Sequence, residues 1–224
     1  MPPFAGDIAS LAQRWLEFDR DSKTRQQVQR LLEANDFDTL EKLLRNPIQF
    51  GTAGLRARLE AGFSRMNCVT VIQASQATLV LKLAAIAVAS AQGLSSYVAK
   101  TVEGAKCRGV VVGHDHRHQS ELFARLTAAV FLNLGYKVYF YRQVTPTPLV
   151  NPKDDNGYKV YWENGAQILP PHDLGIAASI AEKENQVPRI WDEAAIDANP
   201  NAVDITEDMS KRYTEVAAKL CRDR

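Results

Sequence analysis

The sequence predicts an α/β protein, a three-layer α/β/α domain with a mixed sheet, preceded by a group of N-terminal helices. Two short apolar runs, at 109–113 and 136–141, have the length and composition of buried strands. Between them, residues 121–134 repeat apolar side chains at the spacing of an amphipathic helix. A strand, a helix and a second strand in this order form a βαβ unit. The sheet is therefore expected to be at least partly parallel and covered by helices.

Residues 1–46 are expected to form a separate helical segment. Asp7 can cap a helix over 8–18, where the apolar residues fall on one face. Residues 23–34 are amphipathic in the same way. A third helix is expected to begin at Asp38, because Glu41 three residues later completes the pattern of a capping box.

The main domain is expected over residues 47–192. A glycine-punctuated loop at 50–56 is followed by an apolar segment at 70–91, which predicts a buried helix. Farther along the chain, Asn156 and Gly157 form a turn signal. The strands predicted after it, at 158–162 and 166–169, are expected to pair as a hairpin.

The last part of the chain, residues 193–224, is expected to contain a linker and the first helix of a second domain. The composition of 191–200 is typical of a linker, and residues 204–220 have the apolar spacing of a helix.

Composition and charge restrict the classes of partner. The chain has 27 Lys and Arg against 26 Asp and Glu, so no overall field favours nucleic acid or an anionic membrane. The longest apolar segment, 70–91, contains Gln73, Gln76 and Lys82, which favour a buried helix over a membrane span. The three cysteines are isolated, which is typical of reduced thiols. We therefore expect a cytoplasmic protein with no membrane or nucleic-acid partner.

Two loops carry candidate anion-binding residues. The sequence Gly-Thr-Ala-Gly-Leu-Arg at 51–56 combines flexible glycines with Arg56, whose planar guanidinium suits a phosphate. The loop at 113–118 follows an apolar strand and opens a helix, the position at which α/β sheets bind ligands. Asp115 and Arg117 could organise an anionic pocket there. Two alternatives remain open for this loop: a metal site built from its alternating histidines, or simple loop surface.

The segment around Lys159 is the third candidate. Lys159 is expected where a turn passes into a strand, a rigid place from which an ammonium group could reach a phosphate. The neighbouring residues 151–159 could equally be an ordinary polar turn.

Four motifs, in this order, resemble the phosphohexomutase family, in particular its eukaryotic phosphoglucomutase and phosphopentomutase branch. They are Phe-Gly-Thr-Ala-Gly-Leu-Arg at 50–56, Gly-His-Asp-His-Arg at 113–117, Thr-Pro-Thr-Pro at 145–148 and Asn-Pro followed by Asn-Gly-Tyr-Lys within 151–159. The resemblance covers about residues 45–220 and implies the first, α/β/α domain of a four-domain enzyme. Members of the family transfer a phosphoryl group between a phosphoserine and a sugar phosphate, helped by Mg²⁺ and a sugar bisphosphate activator.

By resemblance, Arg56 and Asn156 are expected to contact the phosphoryl group or substrate, and Asp115 and Arg117 to shape the cleft loop that binds it. Lys159 is expected to assist proton transfer or to bind phosphate. The expected ligand is a sugar phosphate. No metal ligand and no cofactor are assigned to this chain itself.

The departures from the family pattern concern its catalytic centre. The family's serine lies in a Ser-His-Asn-Pro loop, but Leu149 and Val150 stand where Ser-His is expected, directly before the retained Asn-Pro. Thr145 and Thr147 are the nearest hydroxyls and belong to the preceding loop. The resemblance therefore implies an internal deletion near 150/151 that removes the strand delivering the serine, and no Asp-x-Asp-x-Asp metal loop is present.

We expect this chain to be inactive alone, with a non-catalytic sugar-phosphate-binding or interaction module as the alternative. Loss of a central strand should also leave two apolar faces uncovered, that of residues 110–112 and that of the helix after Thr70. Each large apolar side chain left exposed forfeits about 1.5–3 kcal/mol, so the fold is expected to be marginally stable.

Overall fold

The computed structural model describes residues 3–76, 93–145, 152, 154–181 and 190–220. Its helices are α1 (Ile8–Phe18), α2 (Ser22–Glu33), α3 (Phe37–Leu44), α4 (Cys68–Gln76), α5 (Gly93–Thr101), α6 (Ala105–Arg108), α7 (Ser120–Asn133), α8 (His172–Ala181), α9 (Ala195–Ala198) and α10 (Thr206–Ala218). Its strands are β1 (Leu55–Arg58), β2 (Val110–His114), β3 (Val138–Val144), β4 (Asp155–Tyr158) and β5 (Ala202–Asp204).

The three N-terminal helices form their own apolar cluster. Trp15 of α1 is fully buried, and its ring meets Phe63 edge-on at 5.0 Å between centroids. The Asp7 carboxylate accepts a hydrogen bond from the Ser10 N–H, which confirms the predicted cap. The capping box predicted at Asp38 is wrong, because the cap of α3 is Asp36, whose carboxylate accepts from the Thr39 N–H at 3.1 Å.

The predicted βαβ unit is confirmed. Strands β2 and β3 are parallel, with Val110 opposite Val138 and Val112 opposite Phe140, and α7 connects them. Strand β5 adds a third parallel strand beside β3. The apolar residues of α7 and the inward face of β3 belong to one buried cluster. This is the core on which the α/β class prediction rested.

Helix α10 covers the other face of this sheet. Phe140 of β3 is buried in the α7-side core, whereas its neighbour Tyr141 makes a hydrogen bond of 2.7 Å to Ser210 of α10. Since neighbouring strand residues point to opposite faces, α7 and α10 lie on opposite sides of the sheet. The result is the expected α/β/α layering with a mixed set of strands, because β1 and β4 form a separate antiparallel pair.

The predicted boundary at residue 193 stays a prediction. In the structure, β5 beyond that boundary pairs with β3. Arg142 of β3 forms ion pairs with Asp197 at 2.8 Å and with Asp204 at 2.9 Å. The segment interpreted as a linker also contains α9, which packs against α7.

Strand β2 lies at the edge of the three-stranded sheet formed by the described residues. The uncovered apolar face predicted for residues 110–112 is found at Val111, which is 71% exposed, and not at Val112, which is 9% exposed. The predicted exposure of the helix after Thr70 is wrong for the part the structure describes, because Val71 and Ile72 of α4 are fully buried. The rest of the helix predicted at 70–91 lies outside the described residues. No helix in the described ranges is long and apolar enough to cross a membrane.

Candidate phosphate-binding site

The antiparallel pair β1–β4 positions two of the predicted cations on one face. Arg56 lies directly opposite Gly157, and Leu55 lies opposite Tyr158. Leu55 is fully buried, so its neighbour Arg56 points to the exposed face. Lys159 comes one residue after the end of β4 and, two residues beyond Gly157, shares that face by strand alternation.

The charges of the other candidate residues act on the Lys159 ammonium group. Partial burial lowers the pKa of the Lys159 ammonium, and the positive charges of Arg56 and Arg117 lower it further. The Asp115 carboxylate acts in the opposite direction on the same pKa. The structure thus brings Arg56, Asp115, Arg117 and Lys159 into one electrostatic neighbourhood, although they come from three separate segments of the chain.

Asp115 and Arg117 form a buried clamp at the carboxyl end of β2. The Asp115 carboxylate is 3.5 Å from the Arg117 Nε and accepts hydrogen bonds from the Arg117 N–H at 3.1 Å and the Ser120 hydroxyl at 2.6 Å. The Arg117 guanidinium donates to the carbonyl oxygens of Asp155 at 2.8 Å and Pro152 at 3.3 Å. Arg117 therefore fixes the turn that leads into β4, in addition to adding positive charge near Lys159.

Asn156 also has a positioning contact. Its side chain is 2% exposed, and its amide nitrogen donates to the His118 carbonyl at 3.0 Å and to the Ser120 oxygen at 3.1 Å. Its amide oxygen accepts from the Gly157 N–H at 2.7 Å. These bonds hold β4 against the loop after β2. The turn predicted at Asn156 and Gly157 is wrong, because both residues lie inside β4 and pair with β1.

Two residues that the sequence did not single out individually complete this support. Ser120, the first residue of α7, bridges Asp115 and Asn156 through its hydroxyl. Tyr158 reaches the Ser75 hydroxyl of α4 at 3.2 Å, and burial raises the pKa of the Tyr158 phenol. Helix-start serines are common, so only the three-dimensional pairing identifies Ser120 as part of the site.

The glycine-rich loop packs tightly beneath the site. Gly51 and Gly54 exchange two backbone hydrogen bonds, at 2.8 and 3.2 Å, which close a tight turn. Gly54 has φ +76°, and a Cβ at this position would lie 1.9 Å from the Tyr158 carbonyl oxygen. A residue with a side chain is therefore excluded here unless β4 moves away from β1.

The alternating histidines do not converge on a common point. His114 is 9% exposed and contacts the Asp115 carbonyl oxygen at 3.1 Å, whereas His116 and His118 are exposed. Within the described ranges, no three His, Cys, Asp or Glu side chains gather as a group that could hold a metal ion. Thr147, Leu149, Val150 and Asn151 of the predicted serine-loop region lie outside the described residues.

The fold and the site define an α/β/α domain with a cluster of cations beside the carboxyl end of the parallel strand β2. The family model for the phosphoglucomutase/phosphomannomutase α/β/α domain I matches residues 82–151 and 150–187. The chain belongs to this phosphohexomutase family, in its eukaryotic branch.

Similar proteins include a probable phosphoribomutase of Schizosaccharomyces pombe, 44% identical over 85% of this chain and 32% of the relative. The human phosphopentomutase is 36% identical over 96% of this chain and 37% of its own length. The human glucose 1,6-bisphosphate synthase is 36% identical over 93% of this chain and 35% of its own length. The chain thus spans about a third of the length of these relatives.

The comparisons also bear on the internal deletion predicted near residue 150. The family match consists of two pieces that meet at 150/151. The alignment with the human phosphopentomutase is 244 positions long and covers 96% of the 224 residues of this chain, which is about 215, so about 29 aligned positions face a gap in this chain.

Proposed function

We propose that this chain is the phosphate-binding first domain of a phosphotransferase of the mutase type, acting on sugar phosphates. The observation that carries the proposal is the placement of Arg56 and Lys159 on one face of β1–β4, close enough for their charges to interact. Like charges repel, so an arrangement that keeps cations together favours an anion between them.

A phosphate group is the anion that suits this arrangement best. A guanidinium presents a planar fork to two phosphate oxygens, and an ammonium adds a compact point charge. Burial lowers the pKa of Lys159, and the charges of Arg56 and Arg117 lower it further, so a bound dianion would raise that pKa again and be favoured by the same interaction. The clamp of Asp115 and Arg117 holds the start of β4, the strand that Lys159 directly follows.

We further propose that the chain does not turn over by itself. The family resemblance places a serine nucleophile before Asn151, where Leu149 and Val150 stand. Lys159 is left able to bind phosphate or to hold a proton, with no activated hydroxyl assigned to receive a phosphoryl group. The Mg²⁺ and the sugar bisphosphate that the family implies are not assigned residues here, and no step of this proposal depends on them.

Two measurements test these proposals. Calorimetric titration of the full chain with glucose 1,6-bisphosphate is expected to give saturable binding, lost in Arg56→Ala. Arg212→Ala is a charge-matched control, since Arg212 lies on α10 and pairs with Asp208 of the same helix. Absence of binding in the unmodified chain would contradict the assigned site. Incubation with glucose 1-phosphate, the bisphosphate and Mg²⁺ is expected to yield no glucose 6-phosphate, and turnover abolished by Lys159→Ala would refute inactivity.

A second candidate function is a non-catalytic interaction module. The observation that favours it is the exposed Val111 on an uncharged edge strand, because natural edge strands usually carry charges or are covered. Sedimentation velocity, together with the calorimetric titration, distinguishes the two candidate functions. A monomer that binds the sugar bisphosphate supports the phosphate-binding domain. Self-association removed by Val111→Lys, without any sugar-phosphate binding, supports the second.

A further inference from the structure

An exposed apolar pair lies on the hairpin that follows Lys159. Tyr161 is 49% exposed and Leu169 is 65% exposed. The hairpin itself is well ordered by hydrogen bonds, from the Trp162 N–H to the Ala166 carbonyl at 2.9 Å and from the Ile168 N–H to the Val160 carbonyl at 3.2 Å. Tyr161 and Leu169 therefore lie on a hydrogen-bonded hairpin, although they contribute little to the core.

Strand alternation places this apolar pair on the same face as the cations. Val160 and Ile168 are 8% and 1% exposed and point into the core. Their neighbours in the hairpin therefore point outward. Tyr161 is paired with Gln167, and the same register sets Lys159 opposite Leu169. Lys159, Tyr161 and Leu169 thus form one outer face, which continues the face that carries Arg56.

The glycine-rich turn holds this face in a fixed position relative to Arg56. The Gln167 side-chain amide donates to the Thr52 carbonyl oxygen at 2.7 Å. Thr52 lies in the turn that leads into β1, so one hydrogen bond connects the hairpin with the strand that carries Arg56. The apolar pair and the cations therefore belong to a single preorganised surface.

We propose that this surface binds the ring of a phosphorylated sugar, with the C–H face of the ring against Tyr161 and Leu169. The inference rests on the proposed function, because Arg56 and Lys159 are taken to hold the phosphate group. Residues two apart on a strand are separated by about 6.6 Å, which matches the step from a phosphate to the middle of an attached ring. An aromatic side chain with a polar hydroxyl offers the ring both an apolar face and a hydrogen-bond partner.

The test compares inorganic phosphate with ribose 5-phosphate and glucose 1-phosphate as ligands of the full chain. Sugar phosphates are expected to bind about tenfold more tightly than inorganic phosphate, the effect of burying roughly 50 Å² of apolar surface. Tyr161→Ala should remove this advantage and leave the affinity for inorganic phosphate unchanged, whereas Tyr161→Phe should retain it. Tyr213→Ala is the matched control, because Tyr213 is 71% exposed on α10.

Saturation-transfer NMR provides a second readout, which reports contact with the sugar ring rather than the free energy of binding. Irradiation of aromatic protons is expected to reach the sugar C–H protons in the unmodified chain and not in Tyr161→Ala. Equal affinities for inorganic phosphate and both sugar phosphates would overturn the ring site while leaving the phosphate site intact. If the unmodified chain binds neither inorganic phosphate nor the sugar phosphates, the proposed function and the ring site are both wrong.

Discussion

Replacing Gly54 with alanine tests whether the packing of β1 against β4 creates the phosphate site. The new methyl carbon would lie 1.9 Å from the Tyr158 carbonyl oxygen, whereas ordinary contacts begin at 3.4 Å. The obstructing atom belongs to the backbone, so β4 itself must move. Gly54→Ala also places alanine at φ +76°, which costs about 1–2 kcal/mol.

The size of the effect follows from these two contributions. Moving β4 weakens one or two backbone hydrogen bonds, each contributing about 1 kcal/mol, so the total loss is about 2–4 kcal/mol. In a chain of this length that corresponds to a melting temperature lower by roughly 6–12 °C. Because Arg56 lies on β1 and Lys159 directly follows the displaced β4, affinity for glucose 1,6-bisphosphate should fall as well.

The assay is thermal unfolding followed by circular dichroism, together with calorimetric titration below the melting temperature. Gly51→Ala is the matched control, because no atom lies within 4 Å of a Cβ at Gly51, and it should change the melting temperature little. Equal stability and equal bisphosphate affinity of Gly54→Ala and Gly51→Ala would refute the reasoning.

Three further predictions concern individual side chains. The Lys159 ammonium should titrate below its ordinary pKa of 10.5 by NMR, and Arg56→Ala should raise that pKa; an unchanged value would show that the two charges do not interact. Because the pKa of Lys159 is lower in the folded state than in the unfolded state, the protonated lysine lowers the free energy of unfolding. This destabilisation should decrease as the pH rises through the folded-state pKa and then the unfolded-state pKa. Asn156→Ala should lower the free energy of unfolding by about 1–3 kcal/mol in denaturant titrations, because buried partners at His118 and Ser120 lose a donor, and an unaltered midpoint would contradict this. Burial raises the pKa of the Cys68 thiol to about 12, so Cys68 should react slowly with iodoacetamide at pH 8. Mass spectrometry should therefore find alkylation on the exposed Cys107 and not on Cys68, and equal labelling of the two would contradict the buried position of Cys68.

Local sequence patterns predicted most of the fold because the responsible signals are short-range. The N-terminal cap at Asp7 and the βαβ unit follow from hydrogen-bonding capacity and apolar spacing within about 30 residues. The cap at Asp36 was missed because Asp38, two residues later, fits the capping pattern as well, and only the backbone geometry places Asp38 inside the first turn of α3. The Asn156–Gly157 pair has the composition of a turn, but the pairing of β4 with β1 overrides it.

The candidate site was predictable in part. The residue types Arg56, Asp115, Arg117 and Lys159 predicted anion chemistry, which stays a prediction; the structure shows that the charges of the other three residues act on Lys159. The separate structural roles of these four residues were not predictable, because those roles depend on contacts between segments that are distant in sequence. The Arg117 guanidinium reaches carbonyl oxygens 35 and 38 residues away, and Asn156 reaches the His118 carbonyl across 38 residues.

The most direct test of the account is to map the phosphate contact by two-dimensional ¹H–¹⁵N NMR while glucose 1,6-bisphosphate is added to the full chain. Saturable chemical-shift changes are expected at the backbone amides of residues 54–58 and 155–161, and they should disappear in Arg56→Ala. Shifts confined to other surfaces, or a spectrum that does not respond to the ligand, would contradict the claim that these cations form a phosphate site.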